Sequence, residues 1–265
     1  MNSMNRTLVL CADDFGLSAG INSAILELID RGRLSATSCM TTMPAWTEES
    51  ARSLLARQER AALGLHFNLT EGEPAIPLGR LMLQSLSGQL DLTRIQQVLE
   101  QQLERFEQLT GRAPDFIDGH QHVQMFPGIR QRVLRTIRQR YPRQRPWIRV
   151  STPALSGHDA RFKALIVRLM GVGFERRRRQ YEIAGSGHFA GLYSLTPDAG
   201  FERMLQHWLD QLPEGALIMC HPGKTDGSSP LARARQQEYD WLASDAFIAA
   251  LTKSKRSLSP CPALD

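Results

Sequence analysis

Short apolar runs and amphipathic stretches alternate along almost the whole chain. Six runs read as strands, at 7–12, 37–43, 62–68, 116–119, 147–150 and 216–220, each ending in polar or turn-forming residues. Between them the apolar spacing is helical. Ile21, Ile25, Leu28 and Ile29 share one face behind Ser18, a side chain able to cap a helix. The stretch 92–109 carries the stripe Ile95, Leu99, Leu103 and Phe106, with Thr93 as its cap and Gly111 just past its end. Phe201, Leu205, Trp208 and Leu209 predict another helix, ended by Pro213 and Gly215, and 239–251 predicts one more. The stretches 71–90, 151–160 and 171–191 lack such a period and read as long loops. Long loops inside a compact domain are often functional, which makes these the candidates for substrate binding.

Repeated strand-then-helix order predicts right-handed βαβ units and a parallel sheet, either closed into a barrel or open and doubly wound. The 265 residues, 42% hydrophobic and 22% charged, suffice for a substantial core without covalent staples. Cys11, Cys39, Cys220 and Cys261 lie far apart with no CxxC pair, which argues against a disulfide framework or a thiolate zinc site. Cys11 and Cys220 sit in apolar runs and read as small buried hydrophobes, which suits a reducing compartment. The run 7–12 is too short for a signal-peptide core, and no run approaches bilayer length, so a cytoplasmic protein is expected. The net charge of +5 is unevenly spread: arginines crowd 130–149, and Arg176, Arg177, Arg178 and Arg179 are consecutive. Such runs are usually solvated faces, but they also suit phosphate on a lipid, a membrane surface or a nucleic acid.

The candidate chemistry lies at strand ends. Asp13 and Asp14 follow the first strand, His66 closes the third, Asp118, His120 and His122 follow the fourth, and His221 follows the last. In parallel β/α folds the reactive face is the C-terminal edge of the sheet, so distant elements deliver carboxylates and imidazoles to one rim. Adjacent carboxylates in an extended chain point opposite ways, so one could bind a cation while the other takes a proton. The plainer alternative is that one of them caps a helix. His66 is either a hydrogen-bonded core histidine or a ligand. In an extended segment His120 and His122 share a face, with Gly119 leaving room for close approach; otherwise they mark a polar turn. Pro222 keeps His221 out of the helical region at the strand tip, which suits a general acid or a turn histidine equally. His158, His188 and His207 lack strand-end placement.

The segments Ala-Asp13-Asp14-Phe-Gly-Leu-Ser, Gly-Leu-His66-Phe-Asn-Leu, Ile-Asp118-Gly-His120-Gln-His122-Val-Gln-Met-Phe-Pro and Cys-His221-Pro-Gly occur in this order. Together they resemble the YdjC-like (ChbG/HpnK) carbohydrate deacetylase family, from about residue 7 to about residue 250. The resemblance implies a distorted (β/α) TIM-like barrel, a single α/β domain over residues 1–265, and one divalent cation, Mg2+ or Zn2+. It implies His66, His120 and one aspartate as metal ligands. Carried over from related polysaccharide deacetylases, Asp13 is the catalytic base and Asp14 the ligand, with the reverse assignment open. Gln121 and Gln124 stand where family members often carry further histidines.

The implied reaction removes an N-acetyl group from an amino sugar of an oligosaccharide or glycolipid. An acetamide carbonyl is a poor electrophile, so the cation polarises it and activates water, the base takes a proton, and an acid protonates the leaving amine. His221 is the candidate acid. A metal-dependent phosphoesterase is the enzymatic alternative and would need two cations. A basic lipid- or nucleic-acid-binding module without catalysis is the other, although charge alone leaves the strand-end pattern unexplained. An amphipathic run with Phe162, Leu165, Ile166, Leu169 and Met170 precedes the four arginines and suits peripheral contact with an anionic membrane. Nucleic acid is not expected as a partner, and homodimerisation is left open.

Overall fold

β1 (Arg6–Phe15) is the hub of the sheet, because every residue from Leu8 to Phe15 is buried and both its edges are paired. The computed structural model describes residues 6–224 and 229–264. After β1 come α1 (Ala19–Asp30), β2 (Ala36–Cys39), α2 (Glu48–Leu55), β3 (Ala62–Phe67), α3 (Leu78–Ser87), α4 (Leu92–Thr110) and β4 (Phe116–Gly119). Next are α5 (Ile129–Arg140), β5 (Trp147–Ile148), α6 (Arg161–Met170), α7 (Phe174–Gln180) and β6 (Phe189–Ala190). The chain continues with α8 (Phe201–Gln211), β7 (Ala216–Cys220), α9 (Pro230–Ala243), α10 (Asp245–Lys253) and β8 (Arg256–Leu258).

All strand pairs are parallel, in the order β5-β4-β3-β2-β1-β7-β6. The carbonyls of Leu8 and Leu10, on one edge of β1, accept from Ser259 and Ser35, so β8 and β2 share that edge. The outermost strands β5 and β6 approach each other through isolated parallel bridges, Ile148 with Gly185 and Pro153 with Phe189. The sheet therefore curls into a (β/α) barrel with an irregular seam, the distorted barrel that the resemblance implied.

Alternation along β1 feeds two apolar clusters. Leu8, Leu10 and Ala12 join Ile25 and Leu28 of α1 and Leu205 and Leu209 of α8. Val9 and Cys11 join Leu65, Phe67, Leu217 and Met219. The predicted α4 stripe is buried, and removing one such side chain (Leu99→Ala) costs about 2–5 kcal/mol. At Gly64 an added Cβ would lie 2.5 Å from the Phe116 ring, so glycine lets that ring lie against β3.

Four expectations change. Asp91, not Thr93, caps α4, its carboxylate accepting from the Arg94 amide at 2.9 Å. The stretch 71–90 contains α3, a short helix that buries only Leu81 and Ser85 and so shows little periodicity. The stretch 171–191 contains α7 and β6. The predicted helix 239–251 is divided at Ser244, whose extended backbone (φ −77°, ψ 161°) ends α9 and starts α10.

Candidate active site

At the end of β1 the pairing with β2 slips. Ala12 faces Thr37 and Phe15 faces Cys39, so Asp13 and Asp14 together face Ser38 alone. This is a β-bulge, and Asp14 takes the left-handed conformation (φ 72°) that Asp tolerates better than most residues. The extra residue cancels the alternation. Both carboxylates turn into the barrel and are fully buried, which corrects the expectation that neighbours point opposite ways.

The two aspartates nevertheless have different surroundings. Asp13 is clamped by Arg149, with Nη2 2.6 Å from Oδ1 and Nη1 2.7 Å from Oδ2, and Ser38 Oγ donates to Oδ1 at 3.2 Å. Burial would raise its pKa, but the guanidinium outweighs burial and holds it well below the usual carboxylate range. Arg149 Nη2 also lies 2.5 Å from Asp118 Oδ2, an ion pair without hydrogen-bond alignment. Asp14 instead turns Oδ2 to Arg235 of α9 and Oδ1 to two imidazoles.

His66 is buried at the penultimate position of β3. Its Nδ1 is 2.6 Å from Asp118 Oδ1 and 3.0 Å from Ser38 Oγ. With Nδ1–H donating to Asp118, Nε2 is left facing Asp14 Oδ1, 3.3 Å away, where it carries a second proton or, once a cation displaces that proton, a lone pair. Burial disfavours a charge here, yet Asp118 and Asp13 outweigh it and push the imidazole up to about 10. The position strongly favours positive charge. His120 opens a 3-10 helix directly after β4, with Nδ1 3.2 Å from Asp14 Oδ1 and 3.3 Å from His66 Nε2. Its Nε2 lies 3.6 Å from Glu71 Oε1.

The three donor atoms therefore stand 3.2–3.3 Å apart, pair by pair. A tetrahedral ion with bonds of about 2.0 Å has ligand atoms about 3.3 Å apart, so Asp14, His66 and His120 fit such a cation. Charge agrees: Asp13, Asp14 and Asp118 face Arg149 and Arg235, leaving three buried carboxylates against two guanidiniums. A second acidic group, Cys11, Asp13 and Asp118, lies equally close, but the Arg149 side chain already contacts all three.

His122 does not join them. Gln121 (φ 54°) and His122 (φ 63°) are both left-handed, so the segment is wound rather than extended. The His122 ring packs edge-on to Phe189, 5.6 Å away, and burial pushes its pKa down. His221 lies just past β7. Its amide donates to Glu238 Oε2 at 2.5 Å, Arg235 Nη1 reaches its carbonyl at 3.4 Å, and its buried Nδ1 has no hydrogen-bond partner among the described residues. Burial pushes His221 down to about 3, although Asp14 and Asp13 oppose this. Glu238, wholly buried, also accepts from Tyr193 Oη at 2.5 Å, and burial pushes it up to about 7.

Sequence reasoning missed Ser38, Arg149, Tyr193, Arg235 and Glu238. Only Arg149 gave a signal, as a charge inside a predicted strand. In the stretch 71–90, Glu71, Gly72, Pro74 and Ile76 line a cavity of about 470 Å³ with Asn68 and Arg105, and Glu71 links it to His120. Asn68 fixes this turn, accepting from the amides of Thr70 and Glu71.

A family model described as "YdjC-like protein" matches residues 7–253. A chitooligosaccharide deacetylase of Yersinia pestis (strain Pestoides F) is 32% identical over 237 residues, 84% of either chain. A protein of the same name from Serratia marcescens is 30% identical over 267 residues, covering 94% of this chain and 96% of its own. Among solved structures, one provisionally named a cellobiose-phosphate cleavage protein, from Enterococcus faecalis V583, superposes with a TM-score of 0.72. It is 21% identical and covers 96% of this chain and 97% of its own, a likeness of fold.

Proposed function

This chain belongs to the YdjC-like protein family, and we propose that it is a carbohydrate deacetylase that removes an N-acetyl group from an amino sugar with one divalent cation. The observation that carries the reading is the mutual approach of Asp14 Oδ1, His66 Nε2 and His120 Nδ1 to 3.2–3.3 Å. Two imidazoles and a carboxylate suit Zn2+ and bind Mg2+ more weakly. When bound, the cation supplies Lewis acidity, polarising the acetamide carbonyl and lowering the pKa of water.

The chain's own groups handle the protons. Asp13 is the base: it is ionised at neutral pH, and Oδ2, which accepts from Arg149 Nη1, keeps a lone pair for the proton of the attacking water. The clamp lowers its basicity and fixes its direction. Arg235 occupies Asp14 Oδ2 and so leaves Oδ1 towards the histidines. The proton that Asp13 takes from water is handed on through His221 to the leaving amine nitrogen, so the ring begins and ends neutral, its backbone fixed by Glu238 and Arg235. It is neutral beforehand, and the negative charge developing on the acetamide oxygen raises its proton affinity. The cavity behind Glu71 accommodates the sugar, free or lipid-linked.

A phosphoesterase would need a second cation, and Arg149 fills the other acidic cluster found among the described residues. A cytoplasmic location is part of the proposal, supported by Cys11, Cys39 and Cys220 being buried free thiols. Among the described residues, no helix is long and apolar enough to cross a membrane. The test is mass spectrometry of N-acetylated chitooligosaccharides incubated with the protein and Zn2+ or Mg2+. Loss of an acetyl group with equimolar acetate is expected; phosphate release from phosphoesters with every acetamide intact would overturn the reading.

A further inference from the structure

α6 is apolar on two faces and covered on one. Ala164, Val167 and Met170 pack into the barrel wall. Phe162, Leu165 and Leu169, spaced to share the opposite side, are exposed, Phe162 at 76% and Leu169 at 61%, and Val172 prolongs the stripe at 68%. With Leu155, half of the ten exposed large hydrophobic residues among those described fall within this one segment. An exposed apolar stripe of this extent on a helix whose other side is already packed calls for a partner.

The charge around the stripe identifies it. Residues 161–179 hold seven basic residues against one acidic, a net +6 that exceeds the +5 of the entire chain. By helical spacing Arg161 and Arg168 flank the stripe, and Arg176 and Arg177 are exposed on α7 next to it. Arg177 faces Arg130 of α5 closely enough to depress its pKa alongside burial, a like-charge crowding that an anionic surface would relieve. Apolar side chains bordered by arginines match the acyl–headgroup boundary of an anionic bilayer; a nucleic acid would use the charge and leave the apolar stripe unsatisfied. The stripe also adjoins the active site. Lys163, beside Phe162, turns inward to donate to the Tyr193 carbonyl at 3.3 Å, and Tyr193 is the partner of Glu238.

We propose that the outer face of α6, with the arginines of α7, docks the protein on an anionic lipid bilayer. This stands independently of the deacetylase reading. The test is co-sedimentation of the full chain with phosphatidylcholine vesicles with and without phosphatidylglycerol. Binding is expected only with the anionic lipid, weakening as salt is raised. The double variant F162S/L169S and the charge variant R176Q/R177Q should each reduce partitioning by about tenfold or more, while deacetylation of a soluble oligosaccharide stays at the wild-type rate. No sedimentation with anionic vesicles, or equal sedimentation of wild type and F162S/L169S, overturns the proposal. So does concentration-dependent dimerisation that the double variant abolishes, since the stripe would then be covered by a second copy.

Discussion

His66 and His221 occupy comparable places, each near the C-terminal end of a barrel strand and close to the same aspartates, yet their protonation is opposite. Burial acts in the same direction on both. The difference is Asp118, which faces His66 Nδ1 at 2.6 Å, whereas the Nδ1 of His221 has no hydrogen-bond partner among the described residues and the ring lies near Arg235 and Lys163. One imidazole is thereby pushed up to about 10 and the other down to about 3. The first environment attracts positive charge and suits a cation ligand; the second keeps a neutral ring that can carry a proton. Role follows from neighbours, not from residue type or strand-end position.

The sharpest way to break this comparison is to delete each ring in turn. His66→Ala and His120→Ala should each lose bound metal, measured by elemental analysis, together with turnover by on the order of 10³-fold or more. His221→Ala should keep the metal and lose turnover by about 10²–10⁴-fold, the usual worth of a general acid. A milder change makes His66 resemble His221. Asp118→Asn removes the carboxylate that orients the ring, so metal affinity in a competitive chelator titration should fall by about 10–100-fold. The smallest effect concerns Glu238. Its pKa in the folded protein, about 7, lies above the ordinary 4.5, so the fold takes up the proton more readily than the unfolded chain does. The stability this gives is fully present below about pH 4.5 and is lost as pH rises through about 7. Glu238→Gln should flatten that dependence, so wild type loses on the order of 1–3 kcal/mol relative to the variant between about pH 5 and about pH 8 in urea unfolding.

The half of the site proposed to hold a metal was far more legible in the sequence than the half that tunes it. Asp14, His66 and His120 stand at strand ends, and a parallel barrel must bring strand ends together whatever the loops do. The groups around them come from places without such a rule. Arg149 follows β5, where a charge reads as a surface residue until Asp13 and Asp118 are seen on either side of it. Arg235 and Glu238 lie on α9, whose apolar spacing is too weak to show which side faces the barrel. The bulge at Asp14 and the left-handed pair Gln121 and His122 are backbone choices imposed by tertiary contacts. No periodicity announces them, and the predicted pairing of His120 with His122 failed for that reason.

In the proposed reaction the bulge lets two adjacent aspartates share one rim with separate tasks, Asp14 to hold a cation and Asp13 to move a proton. Metal content and acetate release, measured together on Asp13→Asn and Asp14→Asn, test it most directly. One ion per chain with turnover abolished is expected in Asp13→Asn, and loss of both ion and turnover in Asp14→Asn. An Asp14→Asn protein that retains its metal while Asp13→Asn loses it would contradict the account.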